Sequence, residues 1–339
     1  MAKYFKWGLI LIAAVWAALI GTMLGYAWNI MHLPQKLPQA EMPQIQNTNI
    51  SIETQEKMEG YWTLAVFGVD SREGNLGKGT RSDMQMILNV NLGTGEIRMV
   101  SVYRDTYLKI DQKGRYDKIN EAYFNGGPKQ AIEALTENLD LSIDDYASFS
   151  WKAVADAINI LGGIDVDISH EEFRVINGFI TETVEATGVG SHHLKKEGPN
   201  HLDGVQAVAY ARLRKMDTDF KRTERQREVA DLALEKARKA DLSTLNRVVT
   251  AVLPQISTSI GMKDMLPLMK NAKRFHLTET EGFPSKLKDV KIGKKDCVIP
   301  VTLEENVKRL HQFLFDDEVY EPSGLVKETS RQIQQKVKK

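Results

Sequence analysis

The chain contains a single cysteine, Cys297, in 339 residues. That excludes a disulfide framework and a thiolate metal centre, and the apolar surroundings CVIPV mark Cys297 as core. Net charge is missing as well, because 45 Lys and Arg balance 45 Asp and Glu. A general nucleic-acid binder would carry a basic excess, although a local basic patch is still compatible with this balance. No GxxxxGK[ST] occurs, so a P-loop nucleotide enzyme is excluded, and no GxSxG elbow supports an α/β-hydrolase. Histidines are sparse. The adjacent pair His192-His193 has no third ligand at metal spacing, and His170, His201, His276 and His311 stand singly. There is no internal repeat.

One long uncharged run is present. From Trp7 to Trp28 no residue is ionisable as Asp, Glu, Lys or Arg, and that length spans the hydrocarbon of a bilayer. Lys3 and Lys6 precede it, so the positive-inside rule places residues 1–6 in the cytoplasm and the rest outside the cell membrane, in a single pass. A cleaved signal peptide is the alternative, but it would have a shorter apolar region and a small-residue cleavage site. The 7–28 run therefore reads as an anchor. Pro34, Pro38 and Pro43 among polar residues give 29–60 the composition of an extended stalk.

A domain then follows over 61–317. WTLAVFG, MQMILNVN and EIRMVSVY read as strands. Pro128 opens a helix continuing through KQAIEALTENL, another runs over 151–161 to Gly162-Gly163, and IDVDI is a strand. Residues 170–200 show no regular period and read as a surface excursion. Helices are expected at 203–214, 218–240, 243–257, 262–275 and 303–316, with a short strand near CVIPV. Residues 318–339, ending GLVKETSRQIQQKVKK, read as a polar, frayed tail. Strands mixed with helices around one core give an α/β class with helices on both faces.

The charges that attract attention lie in GVDSR, RSD, YRD and YARLR…DFKRTERQ. A hairpin turn centred between Gly93 and Thr94 places Asp83 opposite Arg104 and Arg81 opposite Thr106. Arg81 and Asp83, two apart, share a strand face. Asp70 and Arg72 close the preceding strand, and Asp105 would be nearby. A cross-strand ion pair is the plain reading of any one of these contacts. Crowding of both signs at one edge suits a polyanion with a divalent ion better. Further on, Arg212 and Arg214 end one helix. Asp219, Arg222 and Gln226 share a face of the next, while Thr223, Glu224 and Arg227 fall elsewhere and read as solvated. Planar guanidiniums in this number form a phosphate cradle, whereas a charged amphipathic helix with Arg222 paired to Asp219 is the alternative. The apolar faces at 129–140 and 151–161 could line a channel, although such faces are more often core.

GVDSR (68–72), RSDMQMILNVN (81–91), SVYRDTYLKI (101–110), KINEAYFNGG (118–127), LGGIDVDI (161–168), LDGVQAVAYARLR (202–214) and RTERQ (222–226) resemble, in order, the LytR–CpsA–Psr family. The resemblance implies a three-layer α/β/α domain with a mixed central sheet behind one transmembrane helix. It implies a phosphotransferase moving a teichoic-acid or capsular glycopolymer from a polyprenyl-pyrophosphate carrier to peptidoglycan, with Mg²⁺. By matching position, Asp70 and Asp83 are the metal-associated residues. Arg81, Arg104, Arg212, Arg214, Arg222 and Gln226 contact phosphate, with Asp219 beside them. For the acceptor's general base, Asp105 and Asp219 are equal candidates. Two departures from the pattern are Val102-Tyr103, where many members have Ile-Pro, and Lys221, where glycine is frequent. A polyprenyl pyrophosphatase and a non-enzymatic envelope regulator are the alternative functions. Nucleic acid is not an expected partner.

Overall fold

A computed structural model describes residues 47–71, 74–213, 219–260 and 274–337. The run 7–28, the helix expected at 262–275 apart from its last residues, Arg72 and Arg214 lie outside the described residues. Folded structure begins earlier than the stalk reading expects. A short helix, α1 (Ile52–Met58), is capped by the Ser51 hydroxyl. Ile50 and Met58 are buried, and the Asn47 amide donates to the Thr136 carbonyl at 3.1 Å. Its apolar residues are too few to show a period, so the end of the expected stalk belongs to the domain.

The first strands are β1 (Tyr61–Val69), β2 (Ser82–Asn91), β3 (Glu96–Val102), β4 (Tyr107–Lys109) and β5 (Tyr116–Lys118). The β2–β3 hairpin has the expected register, with Met86 opposite Ser101 and Val90 opposite Ile97. Gly95 adopts φ +84° at the turn, a conformation glycine enters without a Cβ penalty. Helix α2 (Asn120–Leu139) is broken at Gly127 (φ 67°), so Pro128 opens its second half as expected. Next come β6 (Asp145–Ser150), α3 (Trp151–Ile160), β7 (Ile164–Ile168), α4 (His170–Thr187), β8 (Gly198–Leu202), α5 (Gly204–Arg212), α6 (Asp219–Lys239) and α7 (Leu242–Val252). The chain closes with β9 (Ile256–Thr258), β10 (His276–Phe283), β11 (Leu287–Ile292), β12 (Lys295–Pro300), α8 (Leu303–Phe315) and α9 (Gly324–Val337).

Six of these strands form a mixed sheet in the order β10-β3-β2-β1-β6-β9. β1 runs antiparallel to β2 and parallel to β6, and β3 runs parallel to β10. The carboxyl ends of β1, β3, β6 and β10 therefore share one rim with the amino end of β2. Alternation along the strands feeds two apolar clusters. Phe67, Ile87 and Val100 pack with Leu135, Leu139, Val307 and Leu314 of α2 and α8. Met84, Met86 and Met99 pack with Ile158, Ile176, Ile180 and Val208 of α3, α4 and α5. The sheet thus carries helices on both faces, each burying one stripe against it. The apolar faces of α2 and α3 supply core residues of these clusters.

Several elements differ from the sequence reading. Part of the expected excursion at 170–200 is α4, which starts in a capping box between Ser169 and Glu172. Its β-branched residues and Asn177-Gly178 depress helix propensity, yet Ile176, Phe179, Ile180 and Thr183 bury one face. The helix expected over 243–257 ends at Val252, because Pro254 follows, and the chain turns into β9. The polar tail is also an ordered element. α9 buries Val326 and Ile333 against the core, and the Leu303 amide donates to the Ser330 hydroxyl. With two large apolar residues on its buried face, α9 offers little to a periodicity argument.

Candidate functional site

The β1–β2 ladder slips at the rim. Gly68 pairs with Met84 but Val69 pairs with Ser82, which leaves Asp83 as a bulged residue. A bulge re-aims the side chain it carries. Here Asp83 accepts a hydrogen bond from Arg104 Nη1 at 2.5 Å. Arg104 sits in the turn after β3, where the Asn120 amide donates to its carbonyl at 3.2 Å and Thr106 donates to the Tyr103 carbonyl. The two side chains are 17 % and 11 % exposed for Arg104 and Asp83, so the pair is far more shielded than a surface ion pair. Asp105 follows directly. Its carboxylate lies 3.8 Å from Arg104 Nε and 3.0 Å from Lys118 Nζ. Asp83, Arg104, Asp105 and Lys118 thus form one chain of alternating charge.

The expected link between Arg104 and Asp83 is present, but Arg81 is placed differently. It precedes β2, so strand alternation does not extend to it. Its guanidinium pairs with Glu121 at 3.1 Å and lies over the Phe124 ring at 4.9 Å. Thr106 is not opposite Arg81 but bridges to Val298. Asp70 is exposed at the end of β1, and its amide donates to the Arg81 carbonyl at 3.2 Å.

The helical group is built by α5 and α6. Arg212 donates to the Thr183 hydroxyl on α4 at 2.8 Å. Asp219 opens α6. Arg222 and Gln226 are both buried, as expected of a shared inward face, and Gln226 Nε2 donates to the Ala211 carbonyl at 3.4 Å. Thr223, expected in solvent, is buried too, while Glu224 is exposed and Arg227 half-buried. The two groups touch where the Tyr103 ring, next to Arg104, meets Phe220 of α6 edge-on at 4.6 Å.

Two charged residues escaped the sequence reading. Lys118 lies in the KINEAYFNGG block, but its approach to Asp105 depends on the β4–β5 pairing. Arg225 is buried, donating from Nε to Glu172 at 2.7 Å and from Nη1 to the Leu213 carbonyl at 3.2 Å. Glu172 is 53 residues away, and no local pattern announces that contact. Burial beside Glu172 and Glu228 also holds the Tyr210 phenol well above its ordinary pKa.

Among the described residues no group of three or more His, Cys, Asp and Glu could hold a metal alone. Asp70 and Asp83 are hard oxygen donors at one rim. Mg²⁺ commonly takes one or two carboxylates and draws its other ligands from phosphate and water. The donor set suits that shared arrangement and not an all-protein cage.

The domain is thus a mixed α/β sheet with carboxylates and guanidiniums gathered at one rim. The chain belongs to the LytR_cpsA_psr family, whose profile matches residues 31–296. It is 32% identical over 214 residues to the polyisoprenyl-teichoic acid–peptidoglycan teichoic acid transferase TagU of Bacillus mycoides (strain KBAB4), a match covering 62% of this chain and 64% of that protein. The matched part is thus a little under two thirds of that relative's length. The TagU of Halalkalibacterium halodurans is 30% identical over 237 residues, covering 68% and 72%. In structure the chain is similar to the LytR-CPS2A-psr family protein YwtF (TagT) with bound octaprenyl pyrophosphate lipid. That match has a TM-score of 0.57 at 21% identity, over 82% of this chain and 98% of that one, and speaks to the fold.

Proposed function

We propose that this protein is a membrane-anchored phosphotransferase. It moves a glycopolymer of the teichoic-acid or capsular type from a polyprenyl-pyrophosphate carrier to peptidoglycan. The observation that carries the reading is the shielded Asp83–Arg104 pair at the rim, flanked by Asp105 and tied through Tyr103 and Phe220 to the helix bearing Arg222 and Gln226. The names of the TagU relatives and the lipid bound by TagT point the same way. In this reading residues 7–28 are the membrane anchor and the domain works outside the cell.

The arginines supply the chemistry. Phosphoryl transfer demands chiefly positioning and neutralisation of charge on phosphate oxygens. Arg104, Arg212, Arg214 and Arg222 offer planar donors that stay charged at any relevant pH, and Gln226 adds an amide. Arg81, itself exposed, reaches the substrate by leaving Glu121. Asp70 and Asp83 would be the residues to hold Mg²⁺, which would supply charge neutralisation for the pyrophosphate. An acceptor hydroxyl oxygen forms a bond to the sugar-linked phosphorus while the bridging P–O bond breaks. Polyprenyl phosphate leaves with that electron pair, and the hydroxyl proton passes to a carboxylate. Asp105 and Asp219 are the two candidates for that role.

The test is transfer of a labelled glycopolymer from its polyprenyl carrier to peptidoglycan by the full-length protein. Arg104→Ala should abolish it with the fold intact, and near-normal transfer by that variant would sink the arginine-centred mechanism. Omitting the acceptor reads the hydrolytic alternative, since rapid phosphate release without acceptor would mark a pyrophosphatase.

A further inference from the structure

Beside the rim lies a cleft of about 410 Å³ that the phosphate cradle does not use. Asp105 and Phe220 wall it on the rim side, and Asp289, Val290, Lys291 and Val298 of the β11–β12 ribbon are among the residues opposite. Its volume falls within the roughly 300–1,000 Å³ typical of small-molecule sites. Three features make it a built site.

First, the ribbon is fixed to the rim instead of hanging from it. The Val298 amide donates to the Asp105 carbonyl at 2.9 Å, Thr106 bridges to Val298, and Lys295 pairs with Asp117 at 2.6 Å. Second, the aromatic wall is held in place. Phe220 meets Tyr103 edge-on at 4.6 Å. Tyr103 in turn lies against Gly282, where a Cβ would fall 1.9 Å from its hydroxyl oxygen. That close approach requires glycine. Third, Asp105, which lines the cleft, has charged neighbours that orient its side chain. Lys118 Nζ at 3.0 Å and Arg104 Nε at 3.8 Å stand beside the carboxylate.

We propose that this cleft is the acceptor subsite and takes one pyranose ring of the acceptor glycan. The sugar lays its C–H face on Phe220, directs a hydroxyl toward Asp105, and donates another to Asp289. An aromatic wall with apolar neighbours and a few polar groups suits a ligand that is apolar on its faces and hydroxylated at its rim. The inference rests on the transferase reading and assigns the second substrate its place.

The experiment uses full-length protein in detergent, polyprenyl-pyrophosphate-linked glycan as donor, and soluble uncross-linked peptidoglycan chains as the varied acceptor. Phe220→Ala should raise the acceptor KM about tenfold, the order of one lost aromatic contact. Asp289→Ala should raise it about threefold, the order of one hydrogen bond. For Asp289→Ala, donor KM and kcat at saturating acceptor should stay at wild-type values. Asp289 is exposed on the ribbon, so that variant does not depend on the Tyr103–Phe220 packing. Direct titration of the same chains against wild type and Asp289→Ala, without donor, reads the cleft even if no transfer occurs. That separates failure of this proposal from failure of the transferase reading. Equal acceptor affinity in Asp289→Ala and wild type would overturn the proposal, as would donor and acceptor KM rising together in both variants.

Discussion

Two shielded ion pairs of the domain differ in what surrounds them. Asp83–Arg104 and Glu172–Arg225 are similarly short, at 2.5 and 2.7 Å. Glu172 also accepts from the Ser169 amide in the capping box of α4, and Arg225 also donates to the Leu213 carbonyl. These contacts tie α4, α6 and the end of α5 together, which is a structural task. Asp83 sits on a bulge at the strand rim, and Arg104 adjoins Asp105, whose other neighbour is Lys118. A short buried ion pair therefore does not mark a site. The proposed site rests instead on a pair at a rim, continued by further charges of both signs.

That contrast can be broken by mutation, and the largest effect should fall on activity. Arg104→Ala should lower transfer by about 10²–10³-fold, the order of losing one preorganised charge donor. Its Tm should fall as well, because Asp83, 11 % exposed, then loses this partner. In Arg225→Ala, Glu172 is left buried and unpaired, at a cost of about 3–5 kcal/mol, and chemical denaturation should show it directly. Activity in that variant should fall only with the folded fraction. Equal losses of activity per folded molecule in the two variants would erase the distinction. Asp105→Asn should reduce kcat by about 10²-fold if its carboxylate takes the acceptor proton, with donor affinity retained. Unchanged kcat would pass that role to Asp219.

The smallest effect lies away from the rim. His311, stacked on Tyr320 and bonded through Nε2 to the Leu139 carbonyl, is pushed down to about 4 by burial, from an ordinary 6.5. Between those values the unfolded chain binds the extra proton. His311 thus contributes full stability above about pH 6.5, and this falls by up to about 1.4 kcal/mol per pH unit toward pH 4. Burial raises the Asp140 carboxyl, which opposes that trend near the acid end. Denaturant midpoints from pH 7.5 to 5 should decline in the wild type and flatten in His311→Gln, whatever the absolute stability of the variant.

The β-rim half of the site was legible because hairpin register is local arithmetic. Once the turn at Gly93-Thr94 is placed, Asp83 and Arg104 must meet. The same arithmetic misplaced Arg81, since β2 begins only at Ser82 and strand alternation does not reach it. Helical spacing likewise put Arg222 and Gln226 on one inward face. It could not show Arg225 reaching Glu172, or Tyr103 reaching Phe220, because those contacts depend on how separate elements pack. Elements with weak apolar patterning were the ones missed. α4 is rich in β-branched residues, and α9 buries two large apolar side chains, so both declare themselves through tertiary contact. The S-x-x-E signature at Ser169–Glu172 was nevertheless a readable start signal for α4.

In the proposed function, Arg104 and Arg222, from the two separate groups, grip one pyrophosphate. A double-mutant cycle on polyprenyl-pyrophosphate affinity tests this most directly, using the full-length protein with Arg104→Ala, Arg222→Ala and the double variant. Each single change should weaken binding about tenfold or more, and the two should be non-additive by about 0.5–3 kcal/mol, as expected for groups sharing a partner. Wild-type affinity in either single variant would contradict the shared cradle.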